Sequence, residues 1–394
     1  MQENKLNILL LPRWYPNKFC SDFGIFVREQ AEAIAEECKV SVIYIHNFSD
    51  ENKKFDIKIS EKNNVFTVKI YYNTTKIKIL LIKDFINIFR FYKANLLGYK
   101  IVCRQQQKPD VVNVHVLTRL GLFALYLKIF KNIPYVITEH WSRYFKENDN
   151  YHGFLRKFFT RIVVKKSSAV VAVSEKLKSA MIAKNLVNKN FYVIPNVVSI
   201  PKFNPKSKKS KKKKIFLSVG DLYEKTKNIK GVIKAVNKIK EKYPDIEYHI
   251  IGDGIDRKFL ENYADKLGLI NKIVFFHGKQ SHNYVYDFMQ KSDFFILNSN
   301  IETFSVVTAE ALANAIPVIV TKCGGPESFV NKDNGLIIEK NNTGELIKAI
   351  IFMIENHNNF DKEKIFQSVN KRFDKDTIVK KYIKLYSMIK NKKL

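Results

Sequence analysis

Short apolar runs rich in Val and Ile alternate along this chain with longer segments whose apolar residues return every three or four positions, the signature of parallel strands covered by helices. In the first half the strand-like runs are 6–11, 39–45, 65–72, 111–116, 135–140, 169–174 and 191–194. Helix-period segments lie between them; 26–37, for example, leads into Cys38 and puts Val27, Ala31, Ile34 and Cys38 on one face. The alternation pauses at 199–214, SIPKFNPKSKKSKKKK, which holds two prolines and, from 206 onward, seven lysines. It resumes at 215–220, 247–252, 272–278, 294–299, 317–322 and 335–339, and beyond 342 only helical patterns remain.

A chain of 394 residues is too long for one ordinary core. The expected architecture is α/β, with two Rossmann-like doubly wound domains at 1–198 and 215–372. A basic linker at 199–214 joins them, and a terminal helix at 373–394 closes the chain. Open sheets of this kind bind ligands beyond the carboxyl ends of their strands, so two facing domains imply a central cleft. Residues that carry chemistry are therefore sought just after strands.

Composition narrows the setting. Four widely spaced cysteines, Cys20, Cys38, Cys103 and Cys323, form no CxxC pair, which points away from a zinc site or a disulfide framework and suits a reducing compartment. The apolar run near the N-terminus is too short for a signal peptide and ends at Pro12, and no stretch of about twenty apolar residues exists to span a bilayer. The net charge is +30, from 68 basic and 38 acidic residues. Such a surplus attracts polyanions, whether nucleic acid or an anionic membrane face, and it also fits a lysine-rich composition that merely solvates helices.

The densest cluster of candidate residues follows the run 294–299, in SNIETFSVVTAEALANAIPVIVTKCGGPE. A helix beginning near Thr303–Ser305 would direct the N–H groups of Phe304, Ser305, Val306 and Val307 outward, where the helix dipole favours a diphosphate. Glu302, just ahead of that turn, is placed to accept from sugar hydroxyls, and Glu310, two turns on, to grip a ribose. Taken alone, two glutamates at this spacing read equally well as a helix-start charge and a surface residue.

The ordered string of an apolar strand, Ser299, Glu302, Phe304, Glu310-Ala311, Pro317-Val318, Gly324-Gly325 and Glu327 resembles the donor-binding signature of the fourth family of retaining glycosyltransferases, enzymes of glycosyltransferase-B fold. The resemblance implies that Glu302 contacts the donor sugar and Glu310 the nucleotide ribose. It also implies a C-terminal helix that crosses back onto the N-terminal domain. Ser305 and Ala315 stand where the family often has glycine.

Other segments fit the same comparison. In LSVGDLYEKTKNIKG, at 217–231, Gly220 ends a strand before a basic loop, and Asp221 occupies the family's arginine position. An ammonium here would stabilise the charge that builds on the leaving β-phosphate, a role that falls to Lys227 or to Lys225. Gly252 and Gly254, flanking Asp253, suit a tight turn that lets backbone approach the nucleotide. Gly24, in the loop before the first helix and near Arg13 and Arg28, reads as a flexible position with close backbone access to ligand. His115 and His140 sit at the ends of adjacent strands; Asn113 replaces the first residue of the family's His-x-His, while His115 keeps the second and with it an implied contact to the donor sugar. Asp374 and Asp376 form a DxD at an expected helix start, where Asp serves as a cap, and no metal or other cofactor is expected.

Two basic segments with interspersed Phe, Leu and Ile, 76–104 and 153–166, have the composition of helices that lie on anionic bilayers, and equally that of amphipathic helices packed on a sheet. The expected activity is transfer of a hexosyl group from a UDP- or GDP-sugar to a lipid-linked saccharide or surface glycan. It would take place on the cytoplasmic face of the membrane, with no nucleic-acid partner. A sugar-nucleotide epimerase of the same fold and a non-catalytic polyanion-binding protein are the alternatives.

Overall fold

The parallel-sheet expectation rests on apolar runs bounded by loops, and a computed structural model of the chain shows strands at every one of them. It describes residues 5–48, 54–77, 79–117, 119–148, 150–201 and 213–392, so most of the lysine run of 199–214 lies outside the described residues. Two compact units result: Met1–Val197 together with Asp376–Leu394, and Val198–Lys375.

The first unit runs β1 (Asn7–Pro12), α1 (Ile25–Ile34), β2 (Lys39–Phe48), β3 (Phe55–Lys62), β4 (Val65–Asn73), α2 (Leu80–Gln105), β5 (Val111–His115), α3 (Arg119–Lys131), β6 (Tyr135–Glu139), α4 (Phe154–Lys166), β7 (Ala169–Ala172), α5 (Glu175–Ala183) and β8 (Phe191–Val193). The second runs β9 (Lys214–Val219), α6 (Glu224–Lys227), α7 (Ile229–Ile239), β10 (Ile246–Ile251), α8 (Arg257–Lys266), β11 (Val274–Gly278), α9 (His282–Lys291), β12 (Phe294–Leu297), α10 (Val306–Ala313), β13 (Val318–Thr321), β14 (Gly335–Ile338), α11 (Thr343–Asn356) and α12 (Lys362–Phe373). The last helix, α13 (Lys375–Lys390), belongs to the first unit.

The first sheet has the order β3-β4-β2-β1-β5-β6-β7-β8 and the second β11-β10-β9-β12-β13-β14. Pairing is parallel throughout except for β3, which lies antiparallel on β4. The run FDIKISEK of β3 escapes the apolar criterion because it is an edge strand with no buried residue. The signal for it was the dipeptide Asn63-Asn64, both at positive φ, a turn whose twist suits a tight hairpin.

Several strands end earlier than the apolar runs suggest. At the ends of β5 and β12 the chain leaves the ladder at Val116, which has φ 68°, and at Asn298. These are the positions where a doubly wound sheet presents residues to a ligand.

The resemblance implied that the final helix would return to the first domain, and it does. Ile378, Val379, Tyr382, Leu385, Tyr386 and Ile389 of α13 are buried in the core formed by β1, β2, β5 and α1. Asn113 explains one departure from the family pattern: its amide donates to the Tyr386 hydroxyl at 2.8 Å and accepts from Thr138 at 2.9 Å. The residue that replaces a histidine therefore ties β5 to β6 and to the final helix. Asn113→Ala leaves two buried hydroxyls short of a partner and is expected to lower stability by about 1–3 kcal/mol, read as a lower urea midpoint. An unchanged midpoint would show that α13 is held by apolar packing alone.

Candidate active site

Three loops at the carboxyl ends of β9, β12 and β13 build the candidate site of the second unit. Asn300 N donates to Thr226 O at 2.7 Å, Asn300 Nδ2 to Lys225 O at 3.0 Å and Asn298 Nδ2 to Asn228 O at 3.0 Å, which pins the loop after β12 to the one after β9. Glu302 N donates to Cys323 O at 2.9 Å, and the Thr321 hydroxyl donates to Ser299 O, which fixes the same loop to β13. Gly325 lets the β13 loop approach closely: a Cβ there would meet the Phe304 Cα and N at 2.5 Å.

This frame brings Lys227 and Glu302 together. Lys227 Nζ donates to Glu302 Oε1 at 2.5 Å, and Ser299 Oγ donates to the same oxygen at 3.0 Å. Both side chains are mostly buried, 20% and 13% exposed. Burial alone would lower the Lys227 pKa, but the charge and hydrogen bond of Glu302 outweigh it and hold the ammonium above the ordinary lysine range, with Cys323 and Asp221 acting the same way. Of the two lysines left open by the sequence, Lys227 is the one beside Glu302. Lys225 is exposed, and its carbonyl is used in the loop contact.

The helix after Glu302 starts at Val306, with Ser305 as its cap at φ 69°. Ser305 thus takes up the left-handed conformation that glycine favours at this place, and its hydroxyl bonds that of Thr308 at 2.8 Å. The first-turn N–H groups of α10, from Val306 on, have no partner within the helix and carry its positive pole. Phe304 was expected to offer its backbone N–H, and its side chain has a separate structural part. Its ring is buried and packs edge-on against Phe373 and tilted against Phe329, so it anchors α10 to α12. Thr303 and Val306 are partly exposed beside it.

Glu310 accepts from or pairs with His282 Nε2 at 2.8 Å. A lone histidine at the start of α9 gave no sequence signal for this contact. Gly252 has φ 144°, and a Cβ on it would strike Gly220 O at 1.9 Å; on Gly254 it would lie 2.7 Å from Asp221 Oδ1. The two glycines thus let the β10 loop pack on the loop that follows Gly220. Burial raises the Asp221 pKa, Lys227 opposes it, and Asp253 and Asp256 reinforce it, so an acid replaces the family's arginine in a patch already acidic.

In the first unit the site residues are more deeply enclosed. His115 is fully buried, and its Nδ1 hydrogen-bonds His140 Nε2 at 3.1 Å with the rings stacked 14° from parallel. Burial, aided by His140, pushes His115 well below the ordinary histidine pKa, and burial pushes His140 down to about 3 against a weak pull from Asn196. Both rings are therefore neutral near pH 7. The preceding residue, Glu139, accepts from the N–H groups of Leu117, His140 and Trp141, each at 2.9 Å, and from the Tyr144 hydroxyl at 3.0 Å. Burial raises its pKa against the opposing pull of Arg143 and the three N–H donors. Gly24 differs from the flexible position expected of it. It caps α1 at φ 68°, and a Cβ would lie 2.4 Å from the Trp14 carbonyl, so it is a fixed packing position.

Two sequence profiles match the chain: Glycosyltransferase Family 4 over residues 23–200 and Glycosyl transferases group 1 over residues 199–373. The chain belongs to family 4 of the glycosyltransferases and has their B-type fold. This glycosyltransferase is 28% identical over 284 residues to an uncharacterized glycosyltransferase of Methanocaldococcus jannaschii, covering 70% of this chain and 73% of that one. It is 26% identical over 279 residues to the N-acetylgalactosamine-N,N'-diacetylbacillosaminyl-diphospho-undecaprenol 4-alpha-N-acetylgalactosaminyltransferase of Campylobacter jejuni, covering 68% and 73%. Among solved structures, sucrose-phosphate synthase from Thermosynechococcus elongatus has the same fold, with a TM-score of 0.74 at 16% identity over 98% of this chain and 99% of that one.

The histidine pair makes the glycosyltransferase sensitive to acid. Both rings are neutral when folded and take up a proton below about pH 6.5 once unfolded. Their contribution is complete above that pH and is lost as pH falls below it, at about 1.4 kcal/mol per pH unit for each ring that is protonated only in the unfolded chain. The urea midpoint is expected to fall between pH 7 and pH 5, and His140→Asn should flatten that dependence. An identical slope in the variant would place the acid sensitivity elsewhere.

Proposed function

We propose that the enzyme moves a hexosyl group from a UDP- or GDP-sugar, with retention of anomeric configuration and without a metal ion, onto a hydroxyl of a lipid-linked saccharide or surface glycan. The observation that carries this reading is the Lys227–Glu302 pair, held beside the N-terminus of α10. In this reading a diphosphate takes the first-turn N–H groups of α10 and the Lys227 ammonium. Glu302 accepts from the sugar hydroxyls, and Glu310 exchanges its His282 contact for the ribose hydroxyls.

The glycosidic carbon–oxygen bond breaks with its electron pair leaving on the β-phosphate, while the acceptor oxygen forms the new bond. The acceptor proton passes to the departing phosphate oxygen. Lys227 and the helix pole stabilise the charge that grows there, the part a cation would otherwise play. Among the described residues no three His, Cys, Asp or Glu side chains cluster as metal ligands. Asp376 sits in the first turn of α13, consistent with its role as a helix-start acid.

Two further observations support a lipid-linked acceptor and a peripheral place on the anionic inner face of the membrane. The C. jejuni relative is named for a diphospho-undecaprenol-linked acceptor. The first half of α2 exposes Leu80, Leu81, Phe85 and Phe89, and the start of α4 exposes Phe154 and Leu155, among lysines and arginines. From Ala94 onward one face of α2, with Ala94, Gly98, Tyr99 and Val102, is instead buried, so the exposed apolar side chains are concentrated in its first half. No helix among the described residues is long and apolar enough to cross a membrane.

Sugar transfer measured in EDTA with a lipid-linked acceptor tests the reading. Wild-type protein is expected to keep its rate, and Glu302→Gln to lose about 10²-fold or more while binding anionic vesicles as before. Transfer that survives the substitution would refute the site; transfer that stops in EDTA would refute metal independence.

A further inference from the structure

A second group of chemistry-bearing side chains lies in the first unit, separate in sequence from the Lys227–Glu302 site. It lines an open pocket of about 1040 Å³ walled by α2, α4 and the loops after β1, β5 and β6. Four arginines line it: Arg13, Arg119, Arg143 and Arg156. Arg143 packs its guanidinium on the Trp141 ring at 3.3 Å and Arg13 lies over the same ring at 4.9 Å. Trp14 meets Trp141 edge-on at 5.5 Å.

The arginines crowd one another. Burial lowers the pKa of Arg13 and of Arg143; beyond that, Arg119 and Arg156 act on Arg13 to lower it further, and Arg13 and Arg156 do the same to Arg143. The carboxylate that acts on both is Glu139, and its oxygens already accept four hydrogen bonds. Arg143 is only 6% exposed, and its Nε has no hydrogen-bond partner among the described residues. Like charges gathered in a half-enclosed pocket, with a buried donor unsatisfied, form a receptor for a multiply charged anion.

The walls define the rest of the ligand. Ile88 and Phe91 of α2 and Leu155 and Phe159 of α4 line the pocket, and the same two helices expose Leu81, Phe85 and Phe154 farther along. An anion-binding floor between apolar walls suits an amphiphile whose phosphate lies on the arginines and whose chain follows the helices.

We propose that this pocket binds the diphosphate of a long-chain lipid diphosphate, Arg119 and Arg156 reaching it from the rim and Arg13 and Arg143 holding it against Trp141. This deepens the lipid-linked acceptor reading above and rests on it for its place in the reaction. The recognised chemistry is a diphosphate ester with an apolar chain, as distinct from the single-phosphate headgroup of a bulk phospholipid.

Trp14 and Trp141 are the two tryptophans of the chain, so intrinsic fluorescence reports directly on the pocket. The full-length protein is titrated with farnesyl diphosphate, with farnesol and with phosphatidylglycerol vesicles. A saturable change with farnesyl diphosphate, weakened by salt, displaced by inorganic diphosphate and little affected by the vesicles, is the expected result. Arg119→Gln with Arg156→Gln, both exposed positions, is expected to weaken it about tenfold or more and to leave the farnesol response as it was. Equal responses to farnesol and farnesyl diphosphate, an unchanged affinity in the double variant, or full competition by phosphatidylglycerol would each overturn the proposal. The titration needs no sugar transfer, so a loss of the transfer reading alone leaves this result standing, and a failed titration leaves the donor-site assignment untouched.

Discussion

The ion pair between Lys227 and Glu302 is the contact on which the second unit's site depends. Two mostly buried charges are costly to remove from water, and the cost is offset only when geometry and further hydrogen bonds are good. The loop frame supplies both. Asn298 and Asn300 fix the β12 loop to Lys225, Thr226 and Asn228, and Ser299 adds a second donor to the Glu302 oxygen that Lys227 already holds. The pair is thereby poised before any ligand arrives: an ammonium and a carboxylate at one end of α10, with the helix pole between them and Glu310. Such preorganisation is what electrostatic stabilisation of a leaving phosphate requires.

The first unit uses its buried polar groups differently. Glu139 shapes the loop after β6 by accepting four hydrogen bonds, and the two neutral histidines beside it are held by each other. That loop carries Trp141 and Arg143, so one buried carboxylate positions the platform on which the arginine pocket is built. Glu139, next to His140 in the chain, thus organises the loop that carries two residues of the arginine pocket.

Much of this was legible in the sequence, and the reasons are specific. Strands that bury both faces, such as VVNVH and FFIL, announce themselves as apolar runs, whereas the edge strand FDIKISEK does not, because no residue in it is buried. Glu302, Lys227 and Glu310 were singled out through the resemblance of their segments to a family signature, and the structure places Lys227 against Glu302. The asparagines that lock the loops and His282 were missed, since hydrogen bonds across 70 and 28 residues leave no local pattern. Gly24 and Phe304 also carry packing that the sequence did not reveal: one lets the chain pack on Trp14, and the other joins α10 to α12 through an aromatic cluster. The arginine pocket was invisible because its members come from four separate segments.

The central claim is that Lys227 and the α10 pole together receive a nucleoside diphosphate. Calorimetric titration of UDP and GDP into wild type, into Lys227→Met, and into Lys227→Met combined with Glu302→Gln tests it most directly, the double variant removing the carboxylate that would otherwise be left unpaired. Affinity for the preferred nucleotide is expected to fall about tenfold or more in both variants. A double variant that binds the nucleotide as tightly as wild type would contradict the account.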